Sequence, residues 1–157
     1  MIRSDSLIRA LSETDASAYR TLRARAFVED SASFSESAED EAHLPIAHFQ
    51  SLIGSGDEHV TFGSFDEGRL NGFATFKRDK RSKARHKGFL HTMYVEREFR
   101  GNGIASRLLA MLVDHARSLQ GLEQLHLWVL NPETSAARKL YERAGFVAQG
   151  MIVRLTS

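Results

Sequence analysis

The chain has 157 residues, 42% of them hydrophobic and 26% charged, which suits one globular domain and excludes disordered, collagen-like and fibrous readings. The formal charge is only +1 and there is no cysteine, so no global field recommends nucleic acid or membrane, and disulfides, thiolate metal sites and cysteine nucleophiles are excluded. No apolar run approaches the ~20 residues of a membrane span and the first residues lack a signal-peptide core, so a cytoplasmic protein is expected.

Residues 6–11 read as a first strand. Ser12, Glu13, Thr14 and Asp15 then offer helix caps ahead of Tyr19, Leu22, Ala26 and Phe27 at helical spacing. The window 29–41 carries Glu29, Asp30, Glu36, Glu39, Asp40 and Glu41 with no base, a local charge of −6. His43, Leu44, Ile46, Ala47, Phe49, Leu52 and Ile53 predict a second helix, stopped by Gly54 and Gly56. Two runs, 60–65 and 70–76, joined by Asp66-Glu67-Gly68-Arg69, predict an antiparallel hairpin. The window 77–87 follows with a local charge of +6. It reads as a connection kept soluble by charge, and having no aromatic residue to stack on bases it makes a nucleic-acid partner unexpected.

Phe89-Leu90-His91-Thr92-Met93-Tyr94-Val95 is the most convincing strand, rich in aromatic and β-favouring residues. From Ile104 apolar residues repeat every three or four positions until Gly121, predicting a helix of about four turns. Leu125, Leu127 and Val129 mark a strand. Asn131-Pro132 opens another helix that Gly145 ends, and residues 146–155 leave room for one or two short strands. The order βααβββαβαβ predicts a single α/β domain over residues 1–157, with a mixed, mostly antiparallel sheet flanked by helices.

Between the strong strand and the long helix lies Arg100-Gly101-Asn102-Gly103-Ile104-Ala105-Ser106. Two glycines let backbone amides turn toward a ligand, the free N–H groups of the first helical turn favour an anion, and Ser106 adds a hydroxyl. The loop has neither the P-loop ending nor the Rossmann glycine spacing. A strand-to-helix turn needing glycine only for its geometry would look the same.

This stretch, from Val95 through Phe99 to Leu109, resembles the acetyl-CoA motif of the GCN5-related N-acetyltransferases (GNAT). Ala137-Arg138-Lys139-Leu140-Tyr141-Glu142-Arg143-Ala144-Gly145-Phe146 is similar to that family's second motif, in the expected order and at the expected distance. The resemblance implies a GNAT fold and acetyl-CoA as cosubstrate, with no metal. It further implies that the amides from Arg100 to Ala105 hold the pyrophosphate and that the backbone edge near Met93, Tyr94 and Val95 pairs with pantetheine. Tyr141 matches the tyrosine usually assigned as general acid to the sulfur; otherwise it is an amphipathic core residue with its hydroxyl at the edge. Thr134, Ala137 and Tyr141 lie three and four apart, so one helix face can follow the cofactor.

Acetyl transfer also needs a neutral amine and a stabilised oxyanion. His91 is the candidate base, its ordinary pKa near ~6.5 suiting proton removal. Glu96 and Glu98 are alternatives, otherwise solvated residues beside the loop, and a backbone N–H near Met93 would hold the oxyanion. Two departures from the family pattern stand out. Thr134 replaces the usual asparagine, leaving Asn131 as cofactor contact or simple helix cap, and only 11 residues follow Phe146, where relatives build a longer final hairpin. The short end leaves either an open acceptor pocket or one completed in a homodimer. The expected acceptor is a primary amine of a small molecule, peptide or protein, cationic if the acidic window borders its site. A non-catalytic acyl-CoA-binding module is the rival reading.

Overall fold

The computed structural model describes residues 7–29, 38–127, 135–146 and 152–155. Strand β1 (Leu7–Ala10) leads through a 3₁₀ turn into α1 (Ala16–Glu29). The Ser12 amide donates to Asp15 Oδ2 at 2.8 Å, so the cap seen in the sequence does start this helix. A short helix, α2 (Ala38–Ala42), lies in the acidic window, and the helix predicted from His43 starts only at Ile46, as α3 (Ile46–Ile53). The reason is Pro45, which stands at the α3 N-cap with extended backbone (φ −70°, ψ 164°) and has no N–H to continue a helix through it.

Strands β2 (His59–Asp66) and β3 (Arg69–Arg78) form the expected hairpin. Its two-residue tip needs positive φ at both positions, met by Glu67 (51°) and Gly68 (81°). Strand β4 (Lys87–Val95), α4 (Ile104–Ser118), β5 (Gln124–Leu127), α5 (Ser135–Arg143) and β6 (Ile152–Arg154) complete the chain. The six strands lie in sequence order. All neighbours are antiparallel except β4 and β5, which pair in parallel around the α4 crossover.

One core cluster fills the face under α4 and α5, around Phe62, Phe76, Leu90, Leu108, Leu112, Leu125 and Phe146. The other lies under α1 and α3, around Tyr19, Phe49, Ile53, Phe73 and Tyr94. Alternation along the strands sends odd and even positions to opposite clusters. It is interrupted in β4: Thr75 pairs with Thr92 and Phe76 with Leu90, so His91 has no partner across the ladder and marks a bulge.

The basic connection between β3 and β4 is more than a solvated tip. Arg78 donates to the carbonyls of Arg85 (2.7 Å) and Gln120 (3.0 Å), Arg78 and Arg85 both reach Glu58, and Arg81 pairs with Asp79. No helix among the described residues is long and apolar enough to cross a membrane.

Candidate active site

Val95 ends β4, a 3₁₀ turn covers Arg97–Phe99, and the chain enters α4 through Gly101 (φ 84°) and Gly103 (φ 78°). Gly103 is the α4 N-cap, and its carbonyl accepts the first helical bond from the Arg107 amide at 3.0 Å. The amides of Ile104, Ala105 and Ser106 precede that bond and have no helical partner. A Cβ added at Gly101 or Gly103 would meet nothing within 4 Å, so both face open space. Asn102 turns inward instead, its amide donating to the carbonyls of Phe99 (3.0 Å) and Arg100 (3.2 Å), which fixes the loop from inside. Ile104 is buried in the core and Ala105 packs against it, so these two offer only backbone toward solvent. Ser106 is exposed and lines a groove of about 380 Å³ between α4 and α5, together with Ala110, Arg117, Leu140 and Arg143.

The parallel ladder between β4 and β5 runs from Lys87↔Gln124 to Leu90↔Leu127. Beyond it, His91 to Val95 have no described partner on that side, which is the edge where the sequence reading places Met93, Tyr94 and Val95. Tyr94 contributes backbone only, because its buried side chain points to the α1 cluster and its hydroxyl donates to Glu29. That contact and burial raise the phenol pKa well above its ordinary value.

Of the two carboxylates that the sequence left as solvated, Glu96 is structural. Glu96 is 2% exposed and accepts from Arg25 of α1 (2.6 Å) and Arg69 of β3 (2.8 Å). Burial raises its pKa and the two guanidiniums oppose that shift. Glu98, by contrast, is exposed, 3.6 to 3.7 Å from the same two arginines. Arg100 donates to the Val95 carbonyl (2.9 Å) and lies 3.4 Å from Glu29, so α1 is tied to the start of the glycine loop. Sequence reasoning missed this network because its members lie in separate segments with no motif to join them. In the acidic window, Glu29 is thereby engaged and Glu41 is buried against Arg23 at 2.5 Å, whereas Glu39 is exposed; Asp30 and Glu36 lie outside the described residues.

His91 lies on the α1 side of the sheet, exposed to solvent, and its ring makes no hydrogen bond to a described residue. The protein around it lowers its pKa, chiefly by desolvation and then through the charges of Lys77 and Arg23, so the neutral ring dominates at pH 7. Tyr141, on α5, is half-buried against the α4-side cluster with its ring 6.1 Å from Phe146. Gly145 (φ 103°) closes the helix below it. Ala137 falls within the backbone of α5, while Asn131 and Thr134 lie outside the described residues.

The sequence pattern of the acetyltransferase (GNAT) family matches residues 19–146. The chain belongs to this family. Among solved structures, a GNAT acetyltransferase from Streptococcus pneumoniae is 26% identical with a TM-score of 0.77, over 91% of this chain and 84% of that one. A ribosomal-protein-alanine N-acetyltransferase from Brucella melitensis is 24% identical (TM-score 0.74; 90% and 84% covered). A phosphinothricin acetyltransferase of the GNAT superfamily from Sinorhizobium meliloti, solved with acetyl-CoA, is 20% identical (TM-score 0.67; 90% and 75% covered). A search of curated proteins returned no match.

The GNAT assignment makes acetyl-CoA the group to test against these residues. They fit it: two positive-φ glycines that leave room where a Cβ would intrude, first-turn amides without a helical partner at the start of a 15-residue helix, and the adjoining stretch of β4 that has no partner on the β5 side among the described residues. Among the described residues no group of three or more His, Asp or Glu is placed to hold a metal.

Proposed function

We propose that this GNAT domain transfers an acetyl group from acetyl-CoA to a primary amine of a small molecule, peptide or protein, by direct transfer in a ternary complex. The observation that carries this is the continuity of His91 to Val95 of β4, which have no partner on the β5 side among the described residues, with the open, glycine-lined N-terminus of α4, which offers a strand-like track ending in an anion site. Acetyl-CoA supplies the activated thioester. The chain's own residues would do the rest. The amides of residues 101–106 hold the pyrophosphate, and the β4 edge near Met93 to Val95 aligns the arm and points an N–H at the developing oxyanion. Neutral His91 removes a proton from the amine, directly or through water, and the Tyr141 hydroxyl gives one to the departing sulfur. With no cysteine in the chain, a cysteine-borne acyl intermediate has no carrier.

Thiol release from acetyl-CoA across a broad amine panel tests the reading. Acetylation of at least one amine is expected, and Tyr141→Phe should lower kcat on it by about 10²-fold, within the usual range for general acid catalysis, while CoA affinity stays within threefold. Silence across the panel with CoA binding intact would replace the enzyme by a binding module. An unchanged kcat in Tyr141→Phe would remove the general-acid role.

A further inference from the structure

The sheet face under α1 and α3 carries an arrangement that acetyl transfer itself does not explain. His59 pairs with Lys77, Lys77 with Phe89, and Phe89 with His126, so these four side chains form one row across β2, β3, β4 and β5. With neighbouring strands about 4.8 Å apart, the row is roughly 14 Å long. The next row on the same face is Thr61, Thr75 and Thr92, and the bulge residue His91 falls between the two. The Thr61 and Thr75 hydroxyls bond at 2.8 Å, but Thr92 Oγ1 has no described partner although the residue is only 8% exposed. None of the row lies in the apolar core clusters, and each of its four residues is half-buried. Helices α1 and α3 cover the other end of this face.

Among the described residues the charge on this face is unbalanced. Lys77 has no carboxylate within ion-pair distance among the described residues. Arg23, from α1, acts on both Lys77 and His91, and the carboxylate beside it, Glu41, is already bound to it. Desolvation and the charges of Lys80 and Arg23 lower the Lys77 pKa; burial lowers those of His59, His91 and His126. A half-buried ammonium without a counter-ion is costly, and an anion delivered to it is correspondingly favoured. Phe89 and His126, ring centroids 5.5 Å apart and tilted by 38°, supply an aromatic wall beside it. The row adjoins Leu90↔Leu127, the last described pair between β4 and β5, and Lys77 stands one strand across and about two residues along from His91. That offset is roughly 6–8 Å, which one small molecule spans.

We propose that the acceptor is a small-molecule amine that also bears an anionic oxygen group, a carboxylate or phosphonate. Lys77 is the specificity residue that pairs with the anion, the Phe89 and His126 rings flank the organic part, and the Thr92 hydroxyl donates to the ligand. The amine is thereby held beside His91. This rests on the acetyl-transfer reading and names the acceptor class within it.

The test pairs each acid with its neutral counterpart, using the full chain saturated with CoA or acetyl-CoA. The probes are phenylalanine against 2-phenylethylamine and against phenylalaninamide, leucine against isoamylamine, and the matching 1-aminoalkylphosphonates. By NMR on the CoA complex, the acids should shift the imidazole signals of His59, His91 and His126, binding at least tenfold more tightly than the neutral partners. Lys77→Met should collapse that ratio toward one, and Lys77→Arg should keep it. In turnover the same ratio should appear in KM rather than kcat. Carboxylate and phosphonate arms separate which anion the site prefers. Equal binding of acids and neutral amines, acids that shift no imidazole, or a ratio that survives Lys77→Met would overturn the proposal. Loss of CoA binding or of all thiol release would instead overturn the acetyl-transfer reading, and the NMR ratio is read independently of turnover.

Discussion

Replacing Gly103 with valine separates the cost of a strained backbone from the loss of an anion site. At φ 78° a β-branched residue pays about 1–2 kcal/mol for the left-handed conformation, and because an added Cβ meets nothing within 4 Å there is no clash to add. For a domain of this size that is a fall in Tm of roughly 2–8 °C. In the complex the same Cβ would stand where the first-turn amides of α4 meet the pyrophosphate. Losing two charge-assisted hydrogen bonds at about 1.5–3 kcal/mol each weakens CoA binding by about 10²- to 10⁴-fold. Gly68 is the internal control. It has φ 81° and equally open surroundings at the β2–β3 tip, so Gly68→Val should lower Tm by a similar amount and leave CoA affinity unchanged. Calorimetric titration of CoA well below either Tm, beside thermal unfolding of both variants, reads the two effects apart. A dissociation constant for Gly103→Val within threefold of the parent would refute the assignment of the loop, and so would parallel losses of affinity in both variants.

Glu96→Ala leaves Arg25 and Arg69 without their shared carboxylate. Both guanidiniums are about half exposed and can rehydrate, so the expected loss is about 2–3 kcal/mol rather than the full cost of breaking a buried pair, measured by urea unfolding. A loss below 0.5 kcal/mol would show that the network contributes little. Stability should also depend on pH through the histidines of the α1 face. His59, His91 and His126 all have folded pKa values lowered first by desolvation, so the fold disfavours their protonated forms. Their contribution is complete above the ordinary imidazole value of about 6.5 and is lost as pH falls below it, so Tm should drop between pH 7.5 and 5.5 and His59→Gln should flatten the slope. A Tm flat across that interval would contradict the burial of these rings.

Local physical chemistry made much of this protein legible in its sequence. Capping at Ser12, the Glu67-Gly68 turn, the apolar period of α4 and the glycines at 101 and 103 depend on neighbours within a few residues, and the structure places each where the pattern expects it. Even the later start of α3 was written locally, in Pro45, but the apolar period beginning at His43 hid it. Tertiary structure alone decided what depends on register and burial. Glu96 reads as a solvated neighbour of the loop until the fold brings Arg25 and Arg69 onto it from distant segments. The charge windows read as opposed patches until pairing spends Glu29 on Arg100, Glu41 on Arg23, and Glu58 on Arg78 and Arg85. His59, Lys77, Phe89 and His126 carry no common motif, and strand pairing alone sets them side by side. Composition sums charge along a chain, whereas only the folded sheet determines which charges keep a partner.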